Sequence, residues 1–338
     1  MTEMLATAVL TREELSLVDN WQRGFPLVPR PFSAIGAREG IGEARVLDIL
    51  RRLARLGVLS RVGATLRPNT AGASMLAAMQ VSPERLEAVA EIVNREPAVN
   101  HNYEREHAIN LWFVLTGADH AVLDAALARI RAASGIDVLE LPLERSYHID
   151  LGFPLAADGV AGAGWKSPSS RAYCPAAAWT LDAADQRLLE LLAEGLALVP
   201  EPFGPLAEAA AITEDEALDR VGRLVATGVV TRLGLIVRHR PLGYRANAMA
   251  VWDIADGEVD AIGRDFAAAP YVTLCYRRPR RLPDWRYNLF CMVHGRDRAA
   301  TAAKVAELTR LAGSRQRDHA LLFSRRCFRQ RGARLTAI

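Results

Sequence analysis

The stretch GFPLVPRPF at residues 24–32 returns as GLALVPEPF at residues 195–203. Farther along the chain, PAVNHNYER at residues 97–105 corresponds in the same way to PYVTLCYRR at residues 270–278. Matches that persist over such a distance indicate that a whole structural unit has been duplicated in tandem. We therefore divide the sequence into copy one and copy two, and ask what a single copy folds into.

The first part of each copy is predicted to be helical and then to turn to β-structure. In copy one, Thr11-x-x-Glu14 is a capping box that opens a helix. Apolar residues at helical spacing predict another helix over residues 43–56, and Gly57 ends it. The alternating segment VLSRVGATLR at residues 58–67 resembles a two-stranded wing. Three helices and a wing make a winged helix-turn-helix.

The second part of each copy alternates between strands and helices. In copy one, the strand SMLAAMQV at residues 74–81 is followed by a helix over residues 82–96, and two strands, a helix and a last strand complete the set. The order βαββαβ is that of a ferredoxin-like domain. Helices cover only one face of such a sheet, so we expect the second copy to cover the other. The predicted fold class is α+β: a tandem duplication of winged helix-turn-helix plus ferredoxin-like domain.

The repeat also predicts the domain boundaries. A segment rich in Gly, Ala, Ser and Pro separates the copies and is typical of a linker. The predicted order is a winged helix-turn-helix at 1–70, a ferredoxin-like domain at 71–153, the linker at 154–179, a second winged helix-turn-helix at 180–242 and a second ferredoxin-like domain at 243–338.

Composition excludes several classes of protein. Half of the 338 residues are apolar and 24% are charged, which is ordinary for a folded globular protein. No apolar run is long enough to span a bilayer, and the first residues lack the features of a signal peptide, so we expect a cytoplasmic protein. The four cysteines form no C-x-x-C pair, which argues against both a zinc site and a disulfide framework.

A winged helix-turn-helix usually binds DNA, and charge is the physical test of that function. Residues 43–56, which include the predicted third helix of copy one, carry four arginines and two acidic residues. The matching residues 213–227 of copy two carry two arginines and four acidic residues. A palindromic site needs two equivalent reading helices, and these two are opposite in net charge. The sequence therefore disfavours DNA binding.

Specific strings point to an enzyme instead. The module order resembles that of leucine-responsive/AsnC-type regulators. However, CYRRPRRLPDWRYNLFCMVHG at 275–295, VNHNYEREHAINLWFVL at 99–115 and ERSYHIDLGFPL at 144–155 resemble siroheme decarboxylases. That family comprises the paired A/B proteins of the alternative heme pathway and the fused D–L protein of heme d1 biosynthesis. The alternative is a ligand-sensing regulator of this fold that binds DNA and a tetrapyrrole or an amino acid.

The resemblance implies a reaction and its partners. The family removes CO2 from the acetate side chains at C12 and C18 of siroheme, giving 12,18-didecarboxysiroheme. Siroheme would be the substrate and would bring its own iron, so no further cofactor and no metal site are expected. The two copies would pair within the chain. A homodimer and contacts with other proteins of heme d1 biosynthesis are left open, and no membrane partner is expected.

A macrocycle with many carboxylates needs several fixed cations, and arginine binds carboxylates best. All of the 42 basic residues except Lys166 and Lys304 are arginines. We expect the arginines to continue strands that face the interface between the copies, the tyrosines to stack on the ligand, and Trp285 to lie in a lid formed by an insertion. Solvated arginines and tyrosines packed in the core are the alternatives. The candidate substrate-binding residues are Tyr103, Arg105, Arg245, Tyr276, Arg277, Arg278 and Trp285.

Loss of CO2 from an acetate on a pyrrole leaves carbanion character, so a general acid is required, and histidine suits near-neutral pH. The candidate catalytic residues are His101, His148 and His294, each of which could instead be an ordinary core histidine. The copies differ at these positions, since His101 corresponds to Leu274 and His294 to Thr116. We therefore hypothesise two unequal pockets, of which one performs the chemistry.

Overall fold

The computed structural model of the chain describes residues 10–149, 152, 181–238 and 240–332. The predicted linker at 154–179 and His239 lie outside the described residues. Within the described part of the chain, none of the helices combines the length and the apolar character needed to span a bilayer.

The secondary structure repeats once along the chain. In copy one the elements are α1 (Arg12–Trp21), α2 (Pro31–Glu39), α3 (Glu43–Arg55), β1 (Leu59–Leu66), β2 (Ala73–Met79), α4 (Leu86–Arg95), β3 (Val99–Arg105), β4 (Leu111–Gly117), α5 (His120–Ser134), β5 (Leu139–Pro142) and β6 (Arg145–Ile149). In copy two they are α6 (Ala183–Glu194), α7 (Phe203–Ala209), α8 (Glu214–Ala226), β7 (Val230–Val237), β8 (Ala246–Ile254), α9 (Val259–Ala267), β9 (Val272–Arg277), β10 (Leu289–Gly295), α10 (Arg298–Ala312) and β11 (Gln316–Gln330).

These elements form two compact units, and each unit combines both copies. The helical unit comprises the described residues up to Ala71 and those from Gly152 to Gly243. The sheet unit comprises the described residues of Gly72–Leu151 and of Tyr244–Ile338. Like parts of the two copies therefore pack together, as expected for a duplicated unit whose open faces need partners.

In the helical unit, each copy contributes three helices and one strand. The capping box is present, because Glu14 N donates to Thr11 Oγ1 and Thr11 N donates to the Glu14 carboxylate. Strand β1 pairs antiparallel with β7, so the prediction of a two-stranded wing within each copy is wrong. Residues 59–66 contain no turn, and the run stays extended to pair with its counterpart. A side chain at Gly63 or Gly234 would collide with backbone oxygens 2.4 Å away, which explains both glycines.

The sheet unit contains a nine-stranded sheet in the order β5-β2-β4-β3-β11-β8-β10-β9-β6. The first half of β11 pairs with β8 of its own copy, and its second half pairs with β3 of copy one. Copy one divides this role between two strands. Strand β5 pairs with β2 of its own copy, and β6 pairs with β9 of copy two. Each copy thus donates its last strand to the other.

Three apolar cores stabilise this unit. One lies under α4 and α5 of copy one, and an equivalent core lies under α9 and α10 of copy two. The third lies on the opposite face of this sheet, where residues of copy one pack against residues of copy two, and its buried residues include Trp112, Met249, Phe290 and Leu322. The expectation that the second copy covers the open face of the first is therefore confirmed.

Trp285 belongs to this third core and not to a lid. Its side chain is 1% exposed and lies with its ring centroid 5.0 Å from those of both Trp112 and Tyr287. The prediction of a lid residue over a flat ligand is wrong. The indole packs between residues of copy one and copy two, where it buries more apolar surface than it would in a loop that faces solvent. Leu282, three residues earlier in the same insertion, is 71% exposed.

We expect Trp285→Ala to lower the free energy of unfolding by about 3–5 kcal/mol, because it empties a large volume in the core. The matched control is Leu282→Ala, which should change it by less than about 0.5 kcal/mol because the side chain is in solvent. Denaturant unfolding followed by circular dichroism measures both. Equal stabilities of the two variants would contradict the core assignment.

Candidate active site

The candidate residues of β3 and β9 lie on the faces that meet in the third core. Tyr103 is paired with Trp112 across β3 and β4, and Tyr276 is paired with Phe290 across β9 and β10. Side chains of directly paired residues lie on the same face of a sheet. Two residues farther along, Arg105 and Arg278 lie on these same faces, so the duplication places a Tyr-x-Arg pair on each.

Arg105 is a buried cation that reaches into the other copy. The residue is 7% exposed, and its Nη1 donates to Leu322 O at 3.2 Å and to Ser324 Oγ at 3.0 Å. The guanidinium carbon lies 5.7 Å from the centroid of the Tyr103 ring. Its Nε is buried and has no hydrogen-bond partner among the described residues.

Arg278 repeats this arrangement in reverse. Its Nη1 donates to Leu141 O, the position of copy one that corresponds to Leu322. Its guanidinium carbon lies 5.3 Å from the centroid of the Tyr276 ring. The Nε of Arg278 is likewise buried without a hydrogen-bond partner in the described part of the chain. The two arginines are therefore related by the duplication.

Neither guanidinium has a carboxylate partner among the described residues. Burial lowers the pKa of Arg105 and that of Arg278 to about 10 each, and a neighbouring tyrosine is the one opposing influence on each. Both remain cations at neutral pH. A buried charge without a counter-ion is costly, so its retention favours a role in binding an anion.

The other candidate arginines occupy different surroundings. Strand alternation turns Arg277 to the opposite face, where Nε donates to Glu144 Oε2 at 2.8 Å and Nη1 lies 3.6 Å from Asp260 Oδ1. Arg277 therefore contacts copy one through Glu144, as expected for a residue at the interface between the copies, but on the face opposite to Arg278 and the third core. Arg245 is exposed, immediately before β8. Arg280, two residues after Arg278, forms ion pairs with Asp253 and Asp256.

His101 is half-buried in copy one, on the same strand as Tyr103. Its ring is stacked with the Tyr103 ring at a centroid distance of 6.2 Å. Nδ1 lies 2.9 Å from Asn100 Oδ1, and Asn100 Nδ2 donates to Thr116 Oγ1 at 3.4 Å. Asn100 and Thr116 are both buried. A small polar cluster thus surrounds the imidazole.

His294 occupies the corresponding region of copy two, at the position equivalent to Thr116. The residue is 6% exposed, and its Nδ1 lies 3.1 Å from Thr273 Oγ1. The Thr273 hydroxyl donates to Met292 O at 3.2 Å. Each copy therefore contains one imidazole whose Nδ1 contacts a neutral polar side chain.

His148 lies apart from this pattern. It is a half-buried residue of β6 and is paired with Cys275, whose side chain belongs to the core under α9 and α10. Among the other histidines, His120 and His319 are exposed, whereas His107 Nδ1 accepts a hydrogen bond from Ile109 N. Burial lowers the pKa of His107. The described residues contain no cluster of three or more His, Cys, Asp or Glu side chains that could hold a metal ion.

The sequence analysis did not identify Asn100 and Thr273. Asparagine and threonine within a strand give no chemical signal. Their correspondence under the repeat was visible, but the irregular strand pairing that turns them toward the imidazoles appears only in three dimensions.

Comparison with known proteins agrees with this architecture. Residues 14–59 and 185–230 match the model of the siroheme decarboxylase NirDL-like HTH domain, and residues 71–148 and 241–329 match that of the AsnC-like ligand binding domain. The chain is 46% identical over 326 residues to the siroheme decarboxylase NirDL subunit of Paracoccus denitrificans, covering 96% of this chain and 98% of that protein.

Two solved structures extend the likeness to three dimensions. The crystal structure of a siroheme decarboxylase NirDL superimposes with a TM-score of 0.67 at 26% identity, covering 95% of this chain and 94% of the other. A NirDL structure in complex with an iron-uroporphyrin III analogue gives a TM-score of 0.65 at 27% identity, covering 95% and 92%. The duplicated fold and the full-length identity together assign this chain to the siroheme decarboxylase family of NirDL type.

Proposed function

We propose that this protein is a siroheme decarboxylase, a carboxy-lyase that converts siroheme to 12,18-didecarboxysiroheme in heme d1 or alternative heme biosynthesis. The observation that carries the proposal is the identity of 46% over almost the whole length of both chains with a NirDL subunit. The structure supports it with one buried and one half-buried arginine, each with a buried Nε, and with two buried or half-buried imidazoles.

The buried arginines suit a ligand that carries many carboxylates. Arg105 and Arg278 each present a planar guanidinium beside a tyrosine ring, and guanidinium can bind a carboxylate through two parallel hydrogen bonds. A carboxylate arriving there would supply the missing counter-ion and satisfy the buried Nε. Tyr103 and Tyr276 would then border the macrocycle. We keep Arg245 as a candidate at the edge of the site, whereas Arg277, which is ion-paired on the opposite face, and Trp285, which is buried in the core, are not proposed to contact the substrate.

The histidines would supply the protons of the reaction. A protonated imidazole gives its proton to the pyrrole α-carbon next to the carbon that bears the acetate, which creates a conjugated iminium group as the electron sink. The bond to the carboxylate then breaks, CO2 leaves, and its electron pair forms an exocyclic double bond. Protonation of that methylene and loss of the ring proton give a methyl group, so each CO2 released consumes one proton. His101 and His294 are the foremost candidates, and His148 is the third.

We further propose that the enzyme requires no cofactor beyond the iron that siroheme brings with it. A cytoplasmic location, a homodimer and contacts with other proteins of heme d1 biosynthesis stay predictions.

The helical unit supports an enzyme better than a regulator. Arg45 pairs with Glu13 and Arg52 with Glu14, so arginines of the predicted reading helix of copy one contact acidic residues of the same unit. In copy two, Arg220 is held by three carboxylates of its surroundings. The predicted reading helices of the two copies also have net charges of opposite sign, which further argues against DNA binding.

Incubation of the protein with siroheme under anaerobic conditions should release two molecules of CO2 per siroheme, because two acetate side chains are converted to methyl groups. Mass spectrometry of the extracted tetrapyrrole, together with absorbance spectra, measures the conversion. Heat-treated protein serves as the control. A bound-ligand spectrum with no change in mass would contradict the proposal and favour the ligand-sensing regulator.

Arg105→Met and Arg278→Met should each raise the Kd for siroheme about 10- to 150-fold, which corresponds to ~1.5–3 kcal/mol for hydrogen bonds to a charged group. Neither substitution should lower the free energy of unfolding, because each removes a buried charge without a counter-ion. The matched control is Arg277→Met, which breaks an ion pair on the other face and should leave the Kd within about threefold. Absorbance titration and thermal denaturation measure the two quantities. Reduced stability with unchanged affinity would assign the arginines a structural role.

A further inference from the structure

We propose that Asn100 and Thr273 are positioning residues that hold His101 and His294 as neutral Nδ1–H tautomers, so that Nε2 is the nitrogen that gains and releases the catalytic proton. The inference rests on the proposed function, because it assigns a task to residues that surround the candidate proton donors. Three observations carry it: two bulges, two sets of hydrogen bonds and the burial of both clusters.

The two residues occupy equivalent irregularities of the sheet. Val99 is paired with Leu115 and His101 with Val114, so Asn100 is the additional residue of a bulge in β3. In β9, Val272 is paired with Val293 and Leu274 with Met292, which makes Thr273 the additional residue of a second bulge. A bulge changes the direction of a side chain relative to the regular pleat and is often found next to an active site.

The hydrogen bonds of Asn100 determine the tautomer of His101. The amide group is oriented by its Nδ2, which donates to Thr116 Oγ1. Its Oδ1 therefore faces His101 Nδ1 and can only accept a hydrogen bond. The proton of the neutral ring must then be on Nδ1, and Nε2 carries the lone pair.

The same reasoning holds for His294. The hydroxyl of Thr273 has one proton, and the backbone oxygen of Met292 can only accept, so both contacts of this hydroxyl are hydrogen bonds at once only when the proton is donated to Met292 O. In that arrangement the Thr273 oxygen accepts from His294, whose proton is then on Nδ1. Two chemically different side chains at equivalent positions thus impose the same tautomer on two imidazoles from non-equivalent positions.

Burial explains why such residues are needed. Asn100 is 4% exposed and Thr273 and His294 are 6% each, whereas His101 is half-buried, so both positioning side chains and the His294 ring are shielded from water. A titratable residue contacts each histidine: the Tyr103 ring is stacked on His101, and Lys304 donates to the backbone oxygen of His294. With both rings fixed alike, both copies are equipped for proton transfer, and neither pocket needs to be a degenerate remnant.

The first test compares Thr273→Val with Thr273→Ser. Valine has the shape of threonine without the acceptor oxygen, so His294 should lose its fixed tautomer, whereas serine should preserve it. Long-range 1H–15N correlation spectra of histidine-labelled, ligand-free protein report the tautomer directly. The kcat for CO2 release should fall at least about tenfold in the valine variant with KM within about threefold, because the proton donor is misoriented. An unchanged tautomer in Thr273→Val would overturn the inference for copy two.

The second test compares Asn100→Leu with Asn100→Asp. Leucine removes the acceptor at Nδ1 of His101, and aspartate restores one. We expect a mixed tautomer and reduced kcat for the leucine variant, and a retained Nδ1–H signal for the aspartate variant. Equal losses in both variants, with unchanged histidine spectra, would mean that Asn100 only maintains the bulge and would overturn the inference for copy one.

The spectra are recorded without substrate, which separates this inference from the proposed function. If the protein binds siroheme but releases no CO2, the proposed function fails while the tautomers can still be as described. If CO2 is released and the tautomers do not respond to the valine and leucine substitutions, the positioning role fails alone.

Discussion

The exchange of the last strand between the two copies is the interaction on which the rest of the sheet unit depends. The second half of β11 pairs with β3, and β6 pairs with β9, so each copy completes the hydrogen bonding of the other at the edge that would otherwise be open. An unpaired edge of this length would be a site for aggregation. The exchange also brings together the strands of copy one and copy two on the face that the helices leave uncovered. Residues of both copies form one apolar core there, and a single copy could not bury it.

The same exchange creates the electrostatic character of the candidate site. Arg105 ends β3 and Arg278 directly follows β9, the two strands to which the exchanged strands are added, and each arginine donates to a backbone oxygen of the other copy. Their guanidinium groups are thus held beside an apolar core, with backbone oxygens and aromatic rings as neighbours. Neither group forms an ion pair with a carboxylate of the described residues. Such an arrangement is unfavourable for stability alone and favourable for binding an anionic ligand that contributes the missing charge.

The sequence predicted those features that repeat or alternate. The duplication and the βαββαβ order follow from period and correspondence, and the resemblance to siroheme decarboxylases led to the family. The partner of a strand is a different matter: residues 59–66 were predicted to fold back on themselves, whereas β1 pairs with β7 of the other copy. Pairing partners depend on which edges meet in space. For the same reason the opposite orientations of Arg277 and Arg278, adjacent in sequence, became clear only from the register.

The duplication also explains how one site can be altered without losing its chemistry. A bulge at the same point of β3 and β9 offers a polar side chain, Asn100 or Thr273, to whatever lies beside it. In copy one that neighbour is the imidazole of the next residue, and in copy two it is the imidazole of the adjoining strand. Both copies thus contain the bulge, and they differ in the strand position from which the histidine contacts it. Two copies that keep the bulge and differ in the position of the histidine each place an imidazole against a polar side chain of the bulge, but from a different strand position.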